Sequence, residues 1–122
     1  MSVADAFFDA NVWLYAFIKG QDPTKTAKAT VLIRTVPTIF LSTQVVNEVC
    51  VNLIRKRNTS EPEIRDFVDD FYTLYRVIEL QQEQLTRASL LREKYSLSYW
   101  DSLIIAAAIA SKTSILYSED MQ

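Results

Sequence analysis

The sequence predicts a three-layer α/β/α sandwich with a central parallel sheet. Two observations lead to this fold class. Short apolar segments rich in β-branched and aromatic residues alternate with longer segments of helical periodicity. Parallel strands need crossover connections of this kind, which place helices on both faces of the sheet. Because 122 residues is close to the commonest domain size, we expect a single domain spanning residues 1–122.

The first predicted unit is a buried strand followed by a short helix. The strand centres on Phe7-Phe8, and the helix covers residues 12–18 and is closed by Gly20. Asp22-Pro23 then combines an N-cap residue with a first-turn proline. This pair predicts a second helix that runs to about Arg34.

The second strand and the helices that follow it are also marked by their boundaries. Residues 38–41 are β-branched or apolar and predict a strand, after which either Ser42 or Thr43 caps the third helix. Ser60 and Glu63 have capping-box spacing and predict the start of a fourth helix. We expect its apolar face to comprise Phe67, Phe71, Leu74 and Tyr75.

The last part of the chain repeats the alternation of strands and helices. Residues 76–80 predict a third strand, and residues 81–94 predict an amphipathic helix. Ser98 opens a further helix over residues 99–111, and residues 114–117 predict a fourth strand. In a parallel sheet of this kind, ligands bind beyond the carboxyl ends of the strands.

Four acidic residues are expected at that carboxyl edge. Asp9 directly follows the first strand and Asp120 follows the fourth, whereas Glu48 lies beside the apolar stripe of the third helix and Asp101 in the first turn of the last. Converging carboxylates repel one another and need a compensating cation. Oxygen ligands suit Mg²⁺ or Mn²⁺, which also accept phosphate oxygens. Phosphodiester hydrolysis is therefore the predicted chemistry.

Each of these acids also has a purely structural interpretation. Asp9 is a good N-cap for the helix that follows it, and Ser98 with Asp101 fits a capping box. A glutamate such as Glu48 is most often a solvated surface residue. Capping and metal binding can coexist, so the spacing of the four acids taken together carries the hypothesis.

Composition narrows the function further. The chain has no histidine, which excludes histidine acid/base catalysis and histidine-bound zinc. Its net charge of −2 gives no global attraction for nucleic acid, so any such contact must be local. The N-terminus lacks a basic stretch, and the longest apolar segment, Leu103 to Ala110, is shorter than the ~20 residues that span a bilayer. With a single cysteine, Cys50, we expect a cytoplasmic protein without membrane association.

Several aromatic and basic residues have no assigned site role. Trp13 and Trp100 are expected in the core or in an interface, and the aromatic helix over residues 67–75 offers a surface for dimerisation. Arg55-Lys56-Arg57 closes the third helix, where positive charge interacts favourably with the helix C-terminus. A contact with RNA phosphates is the alternative for this basic segment.

Four segments together resemble the PIN-domain nucleases, and among these the VapC-type toxins of type II toxin-antitoxin systems. They are the D-x-N start at residues 9–11, the helix glutamate Glu48, the helix aspartate Asp101 and the S/T-x-D ending at residues 118–120. The resemblance implies a Mg²⁺- or Mn²⁺-dependent endoribonuclease acting on structured RNA such as tRNA or rRNA. It also implies a homodimer and a cognate antitoxin that covers the site.

The resemblance assigns roles to particular residues. It implies four acids as the catalytic and metal-binding set: Asp9, Glu48, Asp101 and Asp120. Asn11 and Ser118 correspond to supporting polar positions that orient the site. Family members usually continue into a further short strand, whereas this chain stops at Gln122, which leaves open a missing last strand. The alternative function is a catalytically degenerate PIN-fold scaffold or binding module, against which the intact acids argue.

Overall fold

The computed structural model describes residues 4–18, 20 and 22–118, and its strands form a single parallel sheet. The order of the strands is β3-β2-β1-β4. In chain order the elements are β1 (Ala6–Phe8), α1 (Ala10–Phe17), α2 (Pro23–Thr35), β2 (Ile39–Ser42), α3 (Thr43–Arg57), α4 (Glu61–Leu74), β3 (Arg76–Ile78), α5 (Gln82–Tyr95), α6 (Tyr99–Ala110) and β4 (Ile115–Tyr117). The predicted α/β/α sandwich is confirmed.

The first strand lies at the centre of the sheet and is completely buried. Ala6 of β1 is in register with Ile39 of β2 on one side and with Ile115 of β4 on the other. All pairings are parallel, so the carboxyl ends of the strands meet at one edge. That edge is where the residues immediately after Phe8, Ser42 and Tyr117 are brought together.

Side-chain caps fix where most of the helices begin. The Asp22 carboxylate accepts hydrogen bonds from the backbone N–H groups of Thr24 and Lys25, and Ser60 and Glu63 form the reciprocal capping box that the sequence predicts. The Ser98 hydroxyl accepts the N–H of Asp101 at 3.1 Å, which is one half of the predicted box. These bonds satisfy donors that the first turn of a helix otherwise leaves exposed.

The structure corrects the predicted start of α1 and decides between the two predicted caps of α3. Helix α1 begins at Ala10, two residues earlier than expected, because the Asp9 carboxylate accepts the Ala10 N–H at 2.7 Å and caps the helix there. Helix α3 is capped by Ser42 and not by Thr43, since the Ser42 hydroxyl accepts the N–H of Val45. Both caps bring the helix directly onto the end of its strand.

An aromatic cluster fills the core beside α1. Trp13 is fully buried, and its ring packs 5.1 Å from Phe71 and 4.8 Å from Tyr75, centroid to centroid. Phe17 joins the cluster and contacts Phe67 at 5.2 Å. The expected core position of Trp13 is therefore confirmed, and Phe67 and Phe71 of α4 supply core packing. Leu74, which was expected on the same apolar face, is 64% exposed because it ends the helix on the solvent side. Homodimerisation stays a prediction.

Trp100 differs from Trp13 in its environment. Its side chain is 63% exposed, so in this chain it lies outside the core. It forms an edge-on pair with Tyr99, which is also exposed, at a centroid distance of 5.3 Å.

Within the described residues, no helix is both long enough and apolar enough to cross a membrane.

Candidate active site

Asp9 is held in the acidic site by hydrogen bonds to both of its carboxylate oxygens. Its Oδ1 atom accepts the N–H of Ala10, and its Oδ2 atom accepts the Ser118 hydroxyl at 2.9 Å. Its own N–H donates to the carbonyl of Tyr117 at 3.0 Å, which ties the end of β1 to the end of β4. Asp9 is buried, and each of its carboxylate oxygens accepts a hydrogen bond. Capping does not by itself exclude ligand binding, because a carboxylate oxygen has two lone pairs.

Glu48 is positioned by the buried stripe of α3. Val45 and Val49 of that helix are fully buried, which holds the exposed Glu48 beside the sheet edge. The Gln44 amide donates to Glu48 Oε1 at 3.2 Å, one helical turn earlier. The pKa of Glu48 is raised above its ordinary value, mainly because the carboxylate is partly desolvated, with further increases from the negative charges of Asp9 and Asp101.

Asp101 is held at the start of α6. Its side chain is half-buried, and its backbone N–H is bound by Ser98. The neighbouring Ser102 is completely buried, and its hydroxyl accepts a hydrogen bond from Arg92 of α5 at 2.8 Å. The Arg92 guanidinium also lies 4.5 Å from the centroid of the Tyr99 ring. Arg92 and Ser102, to which sequence reasoning gave no role, therefore fix the helix turn that carries Asp101.

Three of the predicted acids share one electrostatic neighbourhood. Asp9 from the end of β1, Glu48 from α3 and Asp101 from α6 are close enough for both aspartates to raise the pKa of Glu48. The described ranges contain no group of three acidic or cysteine side chains already arranged to hold a metal ion. Three-carboxylate binding of an ion therefore requires side-chain movement or a ligand from beyond those ranges. The donor chemistry itself fits a hard divalent cation, since all three groups are carboxylates that repel one another.

The remaining predicted site residues have different outcomes. Ser118 is buried and donates to Asp9, so the structure places this predicted supporting residue in direct contact with an acid. Asn11 is half-buried in the first turn of α1, two residues after Asp9. Asp120 lies outside the described residues. The functional roles of these positions stay predictions.

Two surface depressions open next to the acidic residues. The first, which we call the lysine cleft, lies between α1 and α2, with a volume of about 130 Å³. Its walls include Asn11, Tyr15, Lys25, Lys28, Tyr117 and Ser118, above the apolar residues Val12, Ala29 and Leu32. The second, which we call the tryptophan groove, has a volume of about 540 Å³ and is lined by Gln44, Asn47, Glu48, Leu80, Trp100 and Leu103.

The sequence interpretation overlooked both depressions. Lys25 and Lys28 lie at i and i+3 on α2, together with Ala29 and Leu32 at i+4 and i+7, so they share one side of the helix. That spacing was the available signal for the lysine cleft. The exposed Trp100 beside Asp101 had no comparable signal, because an apolar helix such as α6 predicts burial.

The fold and the site define a small three-layer α/β domain with a cluster of carboxylates at the carboxyl edge of a parallel sheet. Residues 6–122 match the PIN domain family, so the chain belongs to that family. No curated protein sequence matches the chain significantly.

Solved structures of toxin-antitoxin proteins share this fold. VapC20 of Mycobacterium tuberculosis, described as a sarcin-ricin loop cleaving toxin, is 19% identical with a TM-score of 0.77, over 96% of this chain and 91% of that one. A toxin-antitoxin complex from Klebsiella pneumoniae is 20% identical with a TM-score of 0.72, over 95% and 88% of the two chains. VapBC2 of Rickettsia felis, bound to a DNA fragment from its promoter, is 17% identical with a TM-score of 0.65, over 96% and 89%.

Proposed function

We propose that this PIN domain is a divalent-metal-dependent endoribonuclease and the toxin of a type II toxin-antitoxin pair. The proposal is carried by the placement of three acids, Asp9 after the central strand, Glu48 on α3 and Asp101 at the start of α6, near enough to one another for the aspartates to help raise the pKa of Glu48. These acids come from three separate elements, and a cluster of negative charge with no histidine nearby is suited to a cation and not to histidine chemistry.

In this proposal Asp9, Glu48 and Asp101 hold Mg²⁺ or Mn²⁺, with Asp120 as a further ligand. When bound, the ion would lower the pKa of an attacking water and offset negative charge on the scissile phosphate. The protein's own residues hold these carboxylates in position. The Ser118 hydroxyl and the Ala10 N–H hold both oxygens of Asp9, and Gln44 orients Glu48. No protein nucleophile is required.

The proposed substrate is structured RNA, such as tRNA or rRNA, and the proposed partner is a cognate antitoxin that covers the acidic site. Support for both comes from the structural neighbours, one of which is a sarcin-ricin loop cleaving toxin and another a toxin-antitoxin complex. A homodimer and a cytoplasmic location complete the proposal. The alternative, a catalytically degenerate PIN scaffold, keeps the fold but binds no metal.

The test is incubation of purified protein with total RNA in Mg²⁺ or Mn²⁺, read by gel, with a chelator lane as the control. We expect discrete products that disappear with the chelator. In parallel, millimolar Mg²⁺ or Mn²⁺ should raise the melting temperature, because an ion that binds only the folded state stabilises it by mass action. No cleavage together with no metal-dependent shift would favour the scaffold.

A further inference from the structure

We propose that the lysine cleft binds the phosphate backbone of the RNA immediately beside the acidic site, with Lys25 and Lys28 contacting phosphates. This inference rests on the proposed ribonuclease function and adds a binding site to it. The residues proposed to contact the phosphates, Lys25 and Lys28, are not among the four acids or the two supporting residues of the site.

The first argument is continuity. Ser118 lines the lysine cleft and at the same time donates its hydroxyl to Asp9 at 2.9 Å. Asn11, in the first turn of the helix that Asp9 caps, lines the cleft as well. The cleft therefore begins one hydrogen bond away from a proposed metal ligand. A strand whose scissile phosphate lies at Asp9 would have its neighbouring phosphates at the mouth of this cleft.

The second argument is charge. The whole chain is acidic, with a net charge of −2, and the carboxylates of the site repel a polyanion unless positive charge lies nearby. The charged residues that line the lysine cleft are Lys25 and Lys28, both positive. In the tryptophan groove the charged lining residue is Glu48. Judged by the described residues that line them, the lysine cleft has the positive charge that RNA phosphates require, whereas the tryptophan groove does not.

The third argument is the way in which the lysines are held. Ala29 is buried, and with Leu32 it anchors one side of α2 against the protein. This packing places Lys25 and Lys28 at the rim of the cleft and limits the freedom of the helix that carries them. The Lys25 ammonium lies 5.4 Å from the centroid of the Tyr15 ring, an arrangement that restrains the side chain.

The test measures binding of a fluorescein-labelled, mixed-sequence single-stranded RNA by anisotropy at several salt concentrations. EDTA is present, so that cleavage and metal-bridged contacts are both absent. The test variant is Lys25→Gln/Lys28→Gln. The matched control is Lys94→Gln/Lys112→Gln, which removes the same charge from α5 and the end of α6. Lys94 is a close match because its ammonium also lies over a tyrosine ring, that of Tyr95, at 5.2 Å.

We expect the cleft variant to bind RNA about tenfold more weakly than the wild type, from the loss of charged hydrogen bonds. The slope of log affinity against log salt should fall by about 1.4, since each phosphate contact to a single strand contributes about 0.7. The control should keep the wild-type slope, and Lys25→Arg/Lys28→Arg should restore most of the binding. In cleavage assays the cleft variant should show a raised KM with kcat retained.

Other outcomes separate this inference from the function on which it rests. Wild-type affinity and slope in the cleft variant, or equal losses in the control, would overturn the cleft assignment while leaving the ribonuclease intact. Weakened binding of an acidic antitoxin peptide with unchanged RNA binding would assign the cleft to a protein partner instead. A wild type that neither binds nor cuts RNA in metal would remove the proposed function itself. Melting temperatures of all variants exclude loss of folding as the cause.

Discussion

The lysine cleft and the tryptophan groove adjoin the same acidic site but differ in polarity. The cleft shares Ser118 and Asn11 with the site and is lined by two cations. The groove shares Glu48 and otherwise offers two amides and apolar side chains, among them the exposed Trp100. The acidic residues at the sheet edge therefore have lysines on one side and a further acid on the other. Among the described residues that line the two depressions, the positive charge lies on the side of α1 and α2.

This difference in charge follows from which helices line each depression. Helix α1 begins directly after β1 and packs against α2, which brings the lysines of α2 to the end of the central strand. Helices α3 and α6 supply the groove, and they contribute an acid each through Glu48 and Asp101. The basic segment Arg55–Arg57 is at the opposite end of α3, where Lys56 and Arg57 lie near Phe17 and Ile18 at the end of α1. That position fits the interaction with the helix C-terminus and not a contact at the acidic site.

The largest expected effect comes from Asp9, the buried acid that accepts the hydroxyl of the cleft residue Ser118. Asp9→Asn should reduce RNA cleavage at least about 100-fold, because even changes to groups behind the metal ligands cost 10–100-fold. The fold should persist, since an asparagine can still accept the Ala10 N–H and can donate to Ser118. Gel-based cleavage rates and melting temperatures measure the two effects. Glu48→Gln and Asp101→Asn should behave in the same way.

Asp5→Asn is the matched control for this substitution. Asp5 also adjoins β1, but at its other end, where its carboxylate accepts the N–H of Thr38. The control makes the same chemical change and the same change in charge. Equal loss of cleavage in the two variants would argue against a special role for the carboxyl edge.

The next prediction tests the hydrogen bond that links the lysine cleft to the acidic site. Ser118→Ala removes the hydroxyl that holds Asp9 Oδ2 and should lower cleavage by about 10–100-fold, as expected for a group that orients a metal ligand. Stability should fall by about 1 kcal/mol from the lost buried hydrogen bond. Metal affinity, measured by titration against melting temperature, should weaken as well. Ser111→Ala, whose hydroxyl donates to the carbonyl of Ala108, is the control without a predicted site role.

A smaller effect is expected on the side of the groove. Trp100→Ala should change the free energy of unfolding by no more than about 0.5 kcal/mol, since surface substitutions away from packing and capping features usually have little effect. Chemical denaturation measures this change. The salt dependence of RNA binding in EDTA should also stay at the wild-type value, because the described residues that line the groove include no cation. A reduced slope in this variant would contradict the assignment of phosphate contacts to the lysine cleft alone.

The smallest expected effect concerns pH. Because the pKa of Glu48 is raised in the folded chain, mainly by desolvation, ionising this carboxylate favours the unfolded state. Its destabilising contribution is absent below the ordinary glutamate pKa and grows as pH rises through the raised value. Without metal, Glu48→Gln should therefore melt slightly higher than the wild type at neutral pH and equally at acidic pH. The difference should be small because Glu48 is exposed and its charge is screened by solvent. Melting curves in EDTA across this pH range test the sign.

Local chemistry explains how much of the fold could be predicted. Asp22, Ser60 and Ser98 were recognised as caps because their side chains bond within the first turn, a relation visible in sequence. The predicted start of α1, at Val12, is two residues too late, because the Asp9 cap that the sequence also suggests sets the start at Ala10. The side on which Trp100 lies depends on how α6 packs against α5 and the sheet, which periodicity cannot give for a helix that is apolar on most sides.

The site was predicted in part for the same reason. Parallel topology brings Asp9 to the sheet edge, and the helices that carry Glu48 and Asp101 bring these acids within electrostatic range of it, so their shared neighbourhood followed from the order of elements. The hydrogen bond between Ser118 and Asp9 joins residues 109 positions apart, and the family resemblance implied a supporting role for Ser118 without specifying this contact. The lysine cleft needs the packing of α1 on α2, which sequence spacing does not specify.

The contrast between the two tryptophans gives the chain two separate optical reporters. Trp13 is sealed inside the aromatic cluster, so its fluorescence should be blue-shifted, insensitive to iodide and lost as the core melts. Trp100 is in contact with water at the margin of the acidic site, so its emission should be red-shifted and open to quenchers. In a Trp13-only background, made by Trp100→Phe, unfolding can be followed without interference. The difference spectrum against the unaltered chain then reports on the groove, with no dye attached.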